Sequence, residues 1–152
     1  MTNRPRHLLD PDVVAFLARA RVAHLATADA SGQPHVVPIT FALVGGRLYT
    51  ALDAKPKRVA GRQLKRVRNL LENPRVAVVV DHYAEDWSRL GYVLVSGSAR
   101  LLAAGPETVA PLAALRARYP QYAENPAHLA AATLIEVIPE RVVVWGSLAA
   151  YG

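Results

Sequence analysis

The 152-residue chain has no cysteine. That excludes a disulfide framework, thiolate metal sites, iron–sulfur clusters and cysteine nucleophiles. No apolar run reaches the roughly 18–20 residues that span a bilayer. The N-terminus MTNRPRHLLDPD lacks the apolar segment of a signal peptide. The expectation is a soluble, cytoplasmic protein without a membrane partner. Catalytic signatures are equally scarce. No GxGxxG follows a strand, no GxxxxGKS/T occurs, and no GxSxG elbow is present. The five serines carry no local His or Asp pattern, so no triad is expected. His7, His24, His35, His82 and His128 are scattered without metal-ligand spacing, and no metal site is expected. Asp81, Glu85 and Asp86 read as a solvated loop after a strand rather than an acid/base pair. The chain thus offers no catalytic side chain. If it is an enzyme, a bound cofactor carries the reactive atom and the protein supplies orientation and electrostatics.

What is present bounds the rest. With 52% hydrophobic residues, the chain suits one domain over residues 1–152 with a sizeable core. The basic residues are 15 Arg and 3 Lys, and alanine is abundant, as in proteins of GC-rich bacterial genomes. The net charge of +6 is concentrated. Lys55, Lys57, Arg58, Arg62, Lys65, Arg66 and Arg68 occupy fourteen residues with no acidic residue between them, so the rest of the chain sums to −1. One dense block points to a particular anionic partner rather than a generally sticky surface.

Periodicity gives the order of elements. Pro11–Ala20 reads as a helix with Asp10 at the N-cap and Val13, Val14, Phe16 and Leu17 on its apolar side. Val22–Ala28 reads as a strand, and residues 29–33 as a turn. Pro34–Val44 is apolar at almost every position, which predicts a strand covered on both faces. Gly45-Gly46 joins it to a strand over Arg47–Leu52. A helical period runs from Lys57 to Glu72, with Leu64, Val67, Leu70 and Leu71 inward and Arg58, Arg62, Arg66 and Asn69 on another face. Arg75–His82 and Gly91–Leu102 read as strands, the second alternating Val93, Val95, Gly97 and Ala99 against a more polar side. A helix to Tyr119 and a second helical piece over Pro120–Ala131 follow. Thr133–Ile138 and Arg141–Trp145 form a last strand or strand pair bent at Pro139. Hairpins dominate, which excludes a doubly wound parallel sheet and predicts a small antiparallel barrel with inserted helices. Because Pro34–Val44 offers more apolar surface than one small barrel can bury, a homodimer is expected.

At the segment from Lys55 to Ala99 the chain resembles a known family. The strand Arg47–Leu52, the basic helix, KRVRNLLENPRVAVVVDHY, EDWSRL and VSGSA together resemble the pyridoxamine 5′-phosphate oxidase-like split-barrel proteins. HLATADASGQPHVVPITFAL fits the same pattern, and the resemblance runs from about Asp12 to Gly146. KPKR, RVRN, NPRV and DHYAEDWSRL look like the branch of deazaflavin-dependent enzymes that use coenzyme F420. Gly91-Tyr92 departs from the bulkier, more aromatic residues expected there.

The resemblance implies a mainly β (α+β) homodimeric split barrel, of antiparallel Greek-key type. It would bind F420, or alternatively FMN, between subunits and transfer hydride to or from a small organic substrate. By the same resemblance Lys55, Lys57 and Arg66 line the cofactor groove and hold the phosphate, and Pro38 and Thr40 lie beneath the ring. From the residues themselves, Thr50 near its strand's end offers a hydroxyl to the phosphate, and Trp87, a large aromatic in a polar loop, is expected to cover a planar ring bound mainly by the partner subunit. A non-catalytic cofactor carrier remains an alternative. A nucleic-acid-binding module is another, weakened because Lys55–Arg68 holds no aromatic for base stacking.

Overall fold

In the computed structural model, residues 4–52, 64–124 and 133–149 are described. Helix α1 (Pro11–Arg19) starts at a proline, where no intrahelical N–H is needed. It buries Val13, Phe16 and Leu17, while Val14 stays on its outer side. Asp10 occupies the N-cap position but does not cap. Its carboxylate instead accepts from Arg6 Nε at 2.9 Å and from the His7 N–H at 3.2 Å. Strands β1 (Ala23–Ala28) and β2 (Pro34–Ile39) form the first hairpin, and β3 (Ala42–Val44) and β4 (Arg47–Ala51) the second. Helix α2 (Lys65–Glu72) leads to β5 (Arg75–His82), and a single 3-10 turn over Trp87–Arg89 to the long strand β6 (Gly91–Leu102). Helices α3 (Val109–Arg118) and α4 (Gln121–Glu124) precede the last strand, β7 (Leu134–Gly146).

The strands form one seven-stranded antiparallel sheet in the order β2-β1-β5-β6-β7-β4-β3. It curls into a split half-barrel with helices inserted between strands, so the fold is mainly β, as expected. Inward residues alternate along each strand. Val76, Val78 and Val80 of β5 and Val93 and Val95 of β6 join Phe16, Leu17, Leu25, Phe41 and Ile135 in the main core. A second cluster, Tyr49, Leu102, Leu115, Tyr119 and Leu134, lies under α3. β6 and β7 pair along their whole length, with one bulge at Ser96/Gly97. A Cβ on Gly97 would lie 2.0 Å from the Ile138 carbonyl oxygen, so only glycine lets β7 bend there around Pro139.

Two expectations are corrected. The run Pro34–Val44 is not one strand. It breaks at Thr40-Phe41, and its halves lie at opposite edges of the sheet. The Phe41 N–H donates to the Tyr119 hydroxyl at 3.1 Å, and that hydroxyl lies 3.2 Å from the Phe41 carbonyl oxygen and 3.0 Å from that of Arg21. A side chain from α3's end thus takes the hydrogen bonds a sheet neighbour would make. Arg118 locks the same corner, with its guanidinium 4.7 Å from the centre of the Phe41 ring. It also donates to the carbonyls of Leu17, Ala18 and Ala20 at the end of α1. The second correction concerns α2. Leu71 is exposed, and Asn69, expected outside, is buried and donates to the Thr27 hydroxyl at 3.0 Å. A partner on β1 outweighs the hydrophobicity of Leu71 in setting the rotation of this short helix.

Among the described residues the most buried charge is Glu136, on β7. It accepts from Arg100 Nε at 2.7 Å, Arg47 Nη1 at 3.0 Å and the Tyr49 hydroxyl at 2.9 Å. Burial pushes its carboxyl up, but the bonds from Arg100 and Tyr49 and the nearby guanidinium charges outweigh burial and hold it below the usual carboxylate range. A lowered folded pKa stabilises the fold above the ordinary glutamate value of about 4.3. That contribution is lost as pH falls through the lower folded value. Glu136→Gln is therefore expected to destabilise by roughly 1–3 kcal/mol at pH 7, measured by urea unfolding. The gap between variant and parent should close in acid. An equal gap at pH 7 and pH 3 would contradict the charge argument.

Candidate functional site

The sequence-named residues fall on three parts of the sheet. Pro38 is on the outer face of β2 with Pro34 and Val36, all exposed, while Val37 and Ile39 face inward. Ala26 and Ala28 of β1 stand opposite Val36 and Pro34, so this outer row is shallow and apolar. Thr40 does not continue the row. It is half-buried at the corner after β2, its hydroxyl 2.8 Å from that of Tyr122. Ala42, two residues further on, is buried under α3. Thr50 is buried in β4 opposite Ile135, on the side of Leu48, rather than exposed on an outer face. Lys55 and Lys57 lie outside the described residues.

Arg66 is half-buried on α2. This helix is tied to the β1–β2 turn at both ends. Lys65 Nζ is 3.9 Å from the Asp29 carboxylate, and Glu72 accepts from the Ala30 N–H at 2.9 Å. Bonds from Ser31 and Gln33, set against burial, and the Lys65 charge hold the Asp29 carboxyl below its usual range, so it stays charged as a partner for Lys65. Beneath the helix, two buried polar atoms have no hydrogen-bond partner among the described residues: Asn69 Oδ1 and Nδ1 of His35, which stands opposite Thr27. Unmet buried hydrogen-bonding groups cost roughly 1–3 kcal/mol each, and these two gather at the end of the sheet that carries Arg66. Neither was singled out from the sequence. The signal for Asn69 was a polar residue between Val67 and Leu70. His35 was one of five histidines scattered through the sequence, and nothing in its neighbours marked it as buried with Nδ1 unpaired.

Trp87 is 72% exposed. Its turn is built by Asp86, whose carboxylate accepts from the Ser88 hydroxyl at 2.7 Å and the Ser88 N–H at 3.0 Å. Those two bonds hold the Asp86 carboxyl below its usual range. α2 precedes the start of β5 and Trp87 follows its end, so the two are separated by an eight-residue strand, roughly 23 Å at 3.3 Å per residue. One chain therefore does not bring Arg66 and Trp87 together. The features a flavin-type group needs are present separately: a shallow apolar row for a planar ring on β2, and a cation for an anionic tail on α2, which is tied to the turn before that row. Among the described residues, no cluster of His, Asp or Glu could hold a metal ion. No helix there is long and apolar enough to cross a membrane.

Comparison with known proteins agrees with this fold. A reductase of 5a,11a-dehydrotetracycline and 5a,11a-dehydrooxytetracycline from Streptomyces rimosus is 31% identical over 134 residues, covering 88% of this chain and 80% of the relative. Among solved structures, the haem storage protein HutZ of Vibrio cholerae shares the fold at a TM-score of 0.70 and 18% identity, covering 91% of this chain and 94% of its own. A FAD-binding protein of Mesorhizobium loti does so at 0.65 and 24%, covering 91% and 95%. The model of the pyridoxamine 5′-phosphate oxidase family matches residues 9–146, and the chain belongs to that family.

Proposed function

We propose that this protein is an oxidoreductase that moves hydride between the deazaflavin coenzyme F420 and a small oxidised organic substrate, in grooves between two copies of the chain. The observation that carries this reading is the half-buried cation Arg66 on α2, a helix tied to the β1–β2 turn from which the shallow apolar row of β2 begins. The reductase relative supports the redox class, and the substrates in its name support an acceptor with a polarised carbon–carbon double bond. The deazaflavin, when bound, supplies a two-electron hydride carrier. In this reading Arg66, with Lys55 and Lys57, neutralises the anionic tail, and Arg can do so bidentately. Pro38 borders the ring, while Thr40, turned to Tyr122, and Thr50, buried beside Leu48, are assigned to the ring and the phosphate on the sequence reading alone. Trp87, too far from Arg66 in its own chain, covers the ring held by the partner. No side chain is obliged to act as acid or base. Water completes the proton balance.

The dimer has a physical basis in the uncovered face of β2, β1, β5 and β6. Val36, Pro38, His24, Ala26, Val79 and Leu94 share that face, and Val36 is 64% exposed. Obligate interfaces are apolar and commonly exceed about 2,000 Å². Light scattering at micromolar concentration is expected to give a dimer, and Val36→Asp to weaken it. A well-folded monomer of the parent chain would remove the shared groove.

Lys57→Ala and Arg66→Ala should each raise the cofactor dissociation constant about tenfold or more, since a charge-assisted contact contributes roughly 1.5–3 kcal/mol. Melting temperatures should be unchanged. Parent-like binding in both variants would make the segment a solvated surface.

The choice of cofactor has its own test. FMN offers the same ring and one phosphate, whereas F420 adds an oligoglutamate tail that seven clustered cations would attract. Parallel absorption titrations should give tighter F420 binding at low salt. The preference should shrink with added salt, because exposed tail contacts are screened over about 8 Å at physiological ionic strength. Equal or tighter FMN binding would leave an FMN enzyme of the same fold.

A further inference from the structure

Both tryptophans of this chain are exposed, and both stand at one end of the sheet. Trp87 is 72% exposed and Trp145 51%. The Leu90 carbonyl, just after the Trp87 turn, accepts from the Ser147 N–H at 2.8 Å and ties that turn to the end of β7. Trp145 stacks on Tyr92, its direct partner on β6, with ring centroids 5.6 Å apart and planes inclined by 17°. Two glycines set this pair. A Cβ on Gly91 would lie 2.1 Å from the Ser147 carbonyl oxygen, and one on Gly146 2.1 Å from that of Leu90. Neither strand end can approach the other if it carries a side chain there. This is the physical reason for Gly91 where a bulkier residue was expected.

Beyond Trp145, β7 has an open edge. β4 pairs only with Leu134–Val137, and the remainder of that edge carries one bridge, Arg6 to Val142. Between residues 4–8 and 139–144 lies a cleft of about 420 Å³, ending at Val144, the neighbour of Trp145. Ligand sites commonly measure about 300–1,000 Å³. Arg6 in its wall is committed to Asp10 and Asp12. Arg141 and His7 are exposed along it, and Arg141 has no ion-pair partner among the described residues. Glu140 is its acidic member.

We propose that the Trp145–Tyr92 pair and the adjoining cleft bind the substrate, and that the substrate is a planar, conjugated, fused-ring anion. The inference rests on the oxidoreductase reading and specifies its substrate class. A rigid stacked pair presents a flat face, which rewards a flat ligand and leaves a puckered one poorly contacted. The cationic rim at Arg141 selects acidic oxygens. The platform shares its end of the sheet with Trp87, so the substrate lies next to the ring that Trp87 covers.

Calorimetric titration of the whole protein, with and without F420, tests this with two anions: 1-hydroxy-2-naphthoate, which is planar, and cyclohexanecarboxylate, which is not. The naphthoate should bind at least tenfold tighter. Trp145→Leu should lose that preference, Trp145→Phe should keep most of it, and Arg141→Ala should weaken both anions alike in a salt-dependent way. Equal affinity for the two anions in the parent protein overturns the proposal, as does an unchanged preference in Trp145→Leu. If Trp145→Leu does not fold, judged by circular dichroism, the parent's ranking of the two anions and Trp145→Phe decide. Failure to bind any flavin or deazaflavin would instead strike the cofactor reading and leave the naphthoate preference as measured.

Discussion

The hydroxyl of Tyr119 is the hinge of the architecture. Sitting at the end of α3, it accepts the Phe41 N–H and lies within hydrogen-bonding distance of the carbonyls of Phe41 and Arg21. A buried backbone must find partners somewhere, and here a side chain provides them at the point where an otherwise continuous strand would have stayed in the sheet. The chain can therefore leave β2 at one edge and resume as β3 at the other. Arg118 and Arg21 reinforce the arrangement from either side of the Tyr119 ring, and Arg118 also satisfies the last carbonyls of α1. Three separate pieces of chain meet on two adjacent side chains.

That corner decides which surfaces are left for function. α3 covers the outer side of β3 and β4, where Ala42, Tyr49 and Leu115 pack. Among the described residues no helix covers the outer side of β2, β1 and β5. The uncovered side carries the apolar row of β2, with α2 and its cations held at one end by Asp29, Glu72 and Asn69. The aromatic pair of β6 and β7 stands at the other end. Within one chain the eight residues of β5 keep the two ends apart.

The relatives show how permissive this scaffold is. A reductase, a haem storage protein and a FAD-binding protein share it. Fold alone does not name the chemistry. In this chain the features open to function are local: clustered cations before β5, small residues of β1 beside an apolar row, and glycines that press Tyr92 and Trp145 together. Glu136 belongs to the support rather than the site. Its pairing with Arg47 and Arg100 lets a charged strand lie buried next to α3.

The elements with a clear period were legible in the residues: β5 as RVAVVVDH, β6 with its alternating faces, the Gly45-Gly46 hairpin and the proline-led α1. Local sterics and burial of every second or fourth residue determine these, and neither needs knowledge of distant chain. The charge block was legible too, because clustering along the chain is a property of residue order and needs no fold. The break at Thr40-Phe41 was not. Nothing near it is a turn signal, and its cause lies 78 residues away at Tyr119. Asn69 turned inward because Thr27 offered a partner across 42 residues, and Glu136 became a buried charge because Arg47, Tyr49 and Arg100 converge on it. Local pattern set which segments became strands and helices. Only tertiary structure decided which faces stayed open, because hydrogen bonds between residues remote in sequence exist only once the chain has folded.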